Sequence, residues 1–189
     1  MSRPRSPGAI ADRAAVLCVT ALRAQGLDRD GAASLLARLG AADAVTSAER
    51  LVVFLPAGPE GDAAHRLLWN YEASWTLLWL IGHVRQLGPL DSTCDADHVI
   101  RTFTEAESTE HLAAGGRRPA AQAAAAEADR TAAAVARAKD AIRAGDGVPE
   151  GILFPVACQR HLAFGWALDE DSGDWEQVTR SLERFLSAA

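Results

Sequence analysis

One carboxylate lies among tryptophans and could do chemistry there. Glu72 follows Trp69 by three residues and precedes Trp79 by seven, so in a helix all three share one face. Burying a carboxylate among aromatic rings is unfavourable unless it is paired or protonated. Glu72 is therefore either a structural residue whose partner fixes how two helices dock, or a tuned acid, base or metal ligand.

A second polar group is the sequence Cys-Gln-Arg-His at residues 158–161, inside the apolar segment 153–168. Successive helical residues turn by about 100°, so the last three side chains cannot share one exposed strip. Arg160 is the natural counter-ion for Glu72, because a guanidinium pairs a carboxylate through two parallel hydrogen bonds. His161 is expected to orient that pair or to act as a switch near neutral pH.

These residues define one candidate polar cluster, functional or structural: Glu72, Arg160, His161, Trp69, Trp79 and Trp166. No catalytic residue, metal ligand set or cofactor is predicted. Cys158 and His161 lie on one helical turn, but two ligands do not make a zinc site. The Gly-x-Ser-x-Gly, P-loop, Gly-x-Gly-x-x-Gly and His-Glu-x-x-His motifs do not occur.

Charge and composition exclude several classes of protein. The chain has 19 basic and 25 acidic residues and a net charge of −6, which argues against general nucleic-acid binding. Its three cysteines are far apart and encode neither a disulfide framework nor a zinc ribbon. The N-terminus lacks the apolar run of a signal peptide, and the apolar stretch 75–84 is half the length of a membrane span. We therefore expect a cytoplasmic protein that binds neither nucleic acid nor membrane.

The hydrophobic pattern predicts an all-α fold. We expect a flexible N-terminal arm over residues 1–8 and a single compact helical domain over residues 9–189. Its centre is a long Trp-rich helix over residues 62–86, about 37 Å in length. The segment 51–55 suits a strand or a buried helix, and the capping-box sequence at 46–49 favours the helix.

Proline and glycine residues mark the boundaries of the remaining predicted helices and loops. Residues 105–119 are polar and contain glycine, which is typical of a loop or a loosely held turn. The segment 175–186 is either a helix or an extended tail. Other predicted helices span residues 10–24, 30–39, 97–104, 120–144 and 153–168.

Two motifs resemble the bacterial family known as domain of unknown function 4272. Its members show a Trp and a Glu followed by Leu-Leu-Trp-Ala-Leu-Gly, and residues 69–72 and 77–82 are similar. The family's later Glu-Arg-His, Ala-Leu-Asn-Trp and Trp-Asp elements resemble residues 159–161, 163–166 and 175–176.

This resemblance extends roughly from Arg13 to Trp175 and implies a bacterial protein with a helical fold. It implies no activity. Gln159 stands where the family has Glu, which favours a structural role for that position or a degenerate site.

The sequence leaves two functions open. The first is a non-catalytic protein-interaction or binding module, supported by the acidic segment 169–176, an alanine-faced helix and the lack of catalytic templates. Such a module implies a protein partner, and its oligomeric state stays open. The alternative is a small-molecule-binding protein or enzyme that uses Glu72, Arg160 and His161 in a Trp-lined pocket.

Overall fold

A computed structural model describes residues 3–187, and over that range the chain is all-α, which confirms the predicted fold class. Short 3₁₀ turns lie at Ala42–Ala44 and Glu170–Ser172. The α-helices, in chain order, are α1 (Pro7–Ala24), α2 (Arg29–Leu39), α3 (Ser47–Phe54), α4 (Gly61–Leu68), α5 (Asn70–Leu80), α6 (Ala96–Glu105), α7 (Thr109–Gly115), α8 (Ala121–Ala144), α9 (Phe154–Ala167) and α10 (Trp175–Ser187).

Local sequence sets several helix starts. The Thr46 hydroxyl accepts the N–H of Glu49 at 3.3 Å, and the Glu49 carboxylate accepts the N–H of Thr46 at 2.9 Å. This reciprocal capping box begins α3, so the ambiguous segment 51–55 is helical through Phe54, as the cap predicts. The C-terminal segment is likewise a helix, α10, rather than an extended tail.

The core is organised around the apolar helices α5 and α9 and the buried helix α1. α1 is buried along most of its length and packs against α5, which in turn packs against α9. α8 covers the other side of α9, and the alanines at 134 and 138 let the two helices approach closely. The Trp-rich segment is thus central, and α9 meets it there as the two polar motifs predict.

The continuous helix predicted over residues 62–86 is wrong. The chain breaks between α4 and α5 at Trp69, and α5 ends at Leu80. Gly82 adopts a left-handed φ of 89° and its N–H bonds Trp79 O at 3.0 Å, while the His83 N–H bonds Leu78 O at 2.9 Å. This is a Schellman ending. The apolar pattern continues past it only because the following loop is also partly buried.

The loop predicted over residues 105–119 is also incorrect, because it contains the short helix α7. The Ser108 side chain accepts the His111 N–H at 3.1 Å and caps this helix. Leu112 and Ala113 are buried against the core, which supplies the stabilisation that a seven-residue helix lacks alone.

The arm predicted over residues 1–8 lies partly outside the described residues, since Met1 and Ser2 are not described. Within it, Ser6 caps α1, which begins at Pro7. The Arg5 guanidinium lies over the Trp166 ring, 4.5 Å from its centroid, and Arg5 Nε donates to Trp166 O at 2.8 Å. Among residues 3–187, no helix combines the length and apolar character needed to cross a bilayer.

Candidate functional site

Glu72 and Arg160 form a buried ion pair at the contact between α5 and α9. Glu72 Oε2 lies 3.5 Å from Arg160 Nε, and both side chains are only 2% exposed. Those two facing atoms have no hydrogen-bond partner among the described residues. The sequence-predicted partners are therefore brought together, enclosed in protein and held by charge rather than by the bidentate fork expected for such a pair.

The buried pair also holds the loop at residues 81–95, which joins α5 to α6. Arg160 Nη1 donates to Gly88 O at 2.9 Å, and Glu72 Oε1 accepts the backbone N–H of Cys94. Each charged side chain thus forms a hydrogen bond to a different residue of the same loop through an atom that does not face the other charge. The pair acts as a clamp on irregular backbone whose groups would otherwise be unsatisfied.

Further hydrogen bonds fix the same loop. Trp75 Nε1 donates to Leu87 O at 3.3 Å, and the backbone N–H of Leu153 donates to Leu90 O at 2.7 Å. The His98 ring Nε2 lies 3.1 Å from the carbonyl oxygen of His83. Because its carbonyls are bonded from three different elements, the 81–95 loop is a rigid part of the fold.

Two glycines allow the start of this loop to contact the segment after α7. A Cβ on Gly116 would collide with the carbonyl oxygen of Ile81, and one on Gly82 would collide with the backbone of Arg117. Glycine at both positions lets the two backbones meet without side chains between them. This contact brings the loop residue Arg85 near the Arg117-Arg118 doublet.

His161 does not join the buried pair. Its ring is half-buried and borders a cavity of about 260 Å³ between α9 and α10, together with Leu182 and Phe185. Trp166 also faces away from Glu72, because it packs edge-on against Trp175 with ring centroids 5.6 Å apart. The α9 members of the predicted cluster therefore point in three directions, as a turn of 100° per residue requires.

Trp69 and Glu72 border a small cavity of about 270 Å³ with His65 and Cys94. Trp69 meets the His65 ring edge-on at 6.3 Å. Burial, followed by the neighbouring Glu72 carboxylate, raises the pKa of the Cys94 thiol. The thiol is thus neutral at physiological pH and unsuited to nucleophilic attack.

The other possible nucleophile, Cys158, has a similar environment. Burial raises the pKa of its thiol to about 11 and lowers the pKa of the His161 imidazole. Both shifts favour the neutral forms, so a thiolate–imidazolium pair is disfavoured. Within residues 3–187, no group of three or more His, Cys, Asp or Glu side chains is arranged to hold a metal ion.

Trp79 contributes to a different and larger feature. It is 8% exposed, packs edge-on against Phe164 with ring centroids 5.9 Å apart, and borders two adjoining cavities of about 780 and 650 Å³. Arg85 borders both cavities as well. We call this feature the arginine cleft; it is bordered by Trp79, Arg85, Arg117, Arg118, Arg130 and Arg137.

The arginine cleft has two lobes on either side of Arg85. In the α8 lobe, Arg130 and Arg137 lie seven residues apart on α8 and so share one face. In the linker lobe, Arg117 and Arg118 precede α8. All five guanidiniums belong to exposed residues, and Glu127, paired with Arg130, is the one acidic residue among the described residues that line the lobes.

Sequence reasoning missed the arginine cleft. Its arginines are dispersed between residues 85 and 137, and the residues next to each of them are typical of an ordinary exposed arginine. The one visible signal is the doublet at residues 117–118, and its proximity to Arg85 depends on a backbone contact between distant segments.

Comparison with known proteins gives one match. The model of a family described as "Domain of unknown function (DUF4272)" matches residues 2–178. No curated protein and no solved structure matches the chain.

Proposed function

Because the chain belongs to the DUF4272 family, whose description assigns no activity, we propose from its geometry that it is a non-catalytic binding module whose site is the arginine cleft. The observation that carries this proposal is the accumulation of five guanidiniums against one carboxylate in a chain whose net charge is −6. Like charges gathered in a cleft reinforce one another's field and attract an oppositely charged ligand. The partner is therefore an anion, or a protein that presents one.

Shape supports binding in the same place. Each lobe has the volume of a typical ligand pocket. The clamped 81–95 loop lines both lobes, α8 lines the first, and residues 117–120 before α8 line the second. A rigid wall reduces the ordering that a ligand must impose when it binds. The charge distribution argues against nucleic acid as the partner, because the acidic remainder of the chain repels an extended polyanion.

The alternative, an enzyme or small-molecule site built on Glu72, Arg160 and His161, has less support. Arg160 is enclosed, and Glu72 borders only the small cavity that it shares with Trp69 and Cys94. His161 borders a separate cavity that neither Glu72 nor Arg160 lines. The raised pKa values of the Cys94 and Cys158 thiols keep both thiols neutral. A cytoplasmic location and a bacterial source stay predictions from the cysteine pattern and the family resemblance.

Calorimetric titration at low and moderate salt tests the proposal with three anions: citrate, tripolyphosphate and hexaglutamate. We expect at least one to bind, with an affinity that falls as salt rises. Arg85→Gln should weaken this binding by more than about tenfold, because Arg85 borders both lobes. Arg143→Gln is the matched control, since it removes the same charge from the exposed end of α8 outside the cleft. Absence of binding by all three anions, or an affinity in R85Q equal to that of the unsubstituted chain, would overturn the proposal.

A further inference from the structure

The charge of the arginine cleft favours phosphate groups over carboxylates as its ligand. Five guanidiniums against the Glu127 carboxylate leave four net positive charges on the residues that line the two lobes. A phosphate monoester carries about 1.5 to 2 negative charges near neutral pH, whereas a carboxylate carries one. In a chain of linked phosphates each group keeps one charge and the terminal groups ionise further near neutral pH, so two or three linked groups carry about three to four negative charges. Such a chain balances the cleft, whereas four carboxylates would be needed.

Guanidinium geometry also favours phosphate as the ligand. The planar fork of arginine donates two parallel hydrogen bonds to a pair of phosphate oxygens, and several forks can surround one tetrahedral group. Arg85, Arg117 and Arg137 form no hydrogen bond or ion pair through their side chains within residues 3–187, so their donors are available to a ligand. The only lysine, Lys139, is buried against Phe185, away from this cleft.

The lobes also limit the ligand's size and shape. Arg85 and Trp79 border both lobes, so a ligand held by Arg85 adjoins the lobe that Arg117 lines and the lobe that Arg137 lines. Trp79 is only 8% exposed and offers no open ring face on which a nucleobase could stack. Recognition therefore depends on charge and not on an aromatic group.

We infer that the arginine cleft binds a compact ligand with two or three linked phosphate groups, which spans both lobes across Arg85. This inference rests on the proposed anion-binding function and deepens it. Free polyphosphate and the phosphate chain of a nucleotide share this chemistry. Because the Trp79 ring is nearly buried and the half-buried His83 ring is held at the carbonyl oxygen of Leu112, the nucleoside of a nucleotide adds nothing to binding.

Calorimetry on the full chain in metal-free buffer tests the ligand class. Tripolyphosphate should bind at least about tenfold more tightly than citrate or hexaglutamate, since each additional charge-assisted hydrogen bond is worth about tenfold or more. ATP should bind no more tightly than tripolyphosphate. If citrate or hexaglutamate binds most tightly, the phosphate inference fails while the anion-binding function stands. If ATP binds at least tenfold more tightly than tripolyphosphate, recognition of phosphate alone is overturned.

Substitutions test whether one ligand spans both lobes. Arg137→Gln in the α8 lobe and Arg117→Gln in the linker lobe should each weaken tripolyphosphate binding by about tenfold, and Arg85→Gln should weaken it more than either. Arg143→Gln should change affinity by less than about twofold, because Arg143 lies outside the cleft. Loss in only one of R137Q and R117Q would show that a single lobe holds the anion and would overturn the spanning geometry.

Discussion

Arg160 and Arg137 lie on α9 and α8, two helices that pack together, yet the two guanidiniums have opposite surroundings. Arg160 is 2% exposed and faces Glu72 at 3.5 Å. Arg137 is exposed in the arginine cleft, where the neighbouring charges are mostly positive. A buried charge needs a built-in partner because desolvation is costly, whereas exposed like charges repel one another only weakly through water. The first arginine is thus suited to support and the second to binding.

The 81–95 loop connects the two regions. Arg160 holds this loop at Gly88, Glu72 holds it at Cys94, and the same loop carries Arg85 into the cleft. We call the buried Glu72–Arg160 pair and its contacts the closed region, and the arginine cleft the open region. The closed region therefore holds the loop that forms one wall of the open region. If this division is right, substitutions in the closed region will change stability, and substitutions in the open region will change affinity.

The largest expected effect comes from breaking the buried pair. Glu72→Gln leaves Arg160 as an uncompensated buried charge and should lower the free energy of unfolding by about 3 kcal/mol, measured by urea denaturation. The same substitution in the cleft is the control. Glu127→Gln removes a partly exposed carboxylate paired with Arg130 and should change stability by less than about 0.5 kcal/mol. Equal losses in E72Q and E127Q would eliminate the distinction between the two regions.

The next effect concerns the backbone contact between the regions. Gly116→Ala places a Cβ against the carbonyl oxygen of Ile81 and should cost about 2 kcal/mol, while also weakening anion binding because Arg117 must shift. Gly115→Ala is a matched neighbour with open space around its Cβ position. That variant should keep or slightly raise the thermal midpoint, since alanine favours the end of α7. A G116A protein as stable as G115A would show that this contact is not tight.

A smaller effect is expected from His161, the residue after Arg160. Burial lowers the pKa of its imidazole, so below about pH 6.5 the unfolded chain takes up a proton more readily than the folded chain. Stability should therefore fall as pH falls from about 6.5 towards the lowered pKa of the folded state.

Denaturation measured between pH 5 and pH 8 tests this dependence. His161→Gln should remove part of the slope, whereas His111→Gln, at an exposed position on α7, should leave it unchanged. If the slope in H161Q equals that of the unsubstituted chain, protonation of His161 does not contribute to it.

The sequence predicts the closed region better than the open one. Glu72 shares a helix face with tryptophans and Arg160 lies inside the apolar segment 153–168, and burial leaves such residues few ways to be satisfied other than pairing. The Thr46 capping box and the alanine-rich α8 are likewise encoded within a few neighbouring residues. In these cases the local sequence pattern and the cost of burying a charge are sufficient to predict the structure.

The end of α5 and the arginine cleft depend instead on contacts between residues that are distant in the sequence. The end of α5 depends on the left-handed backbone of Gly82, and the sequence masks it because Val84 and Leu87 in the loop are also buried. The arginine cleft depends on bringing Arg85, the 117–118 doublet and α8 together. No local pattern encodes that proximity, because exposed arginines are individually unremarkable.

Linkage between binding and unfolding tests the central claim most directly. Urea unfolding is measured without anion and with tripolyphosphate at about 100 times the dissociation constant of the unsubstituted chain. We predict a gain of about 2.7 kcal/mol for that chain, and less than about 0.5 kcal/mol for R85Q/R137Q if its affinity falls about a hundredfold. Without anion the two proteins should agree within about 0.5 kcal/mol. An equal gain in both, or a clearly less stable double variant without anion, would contradict the account of a supporting core and a binding cleft.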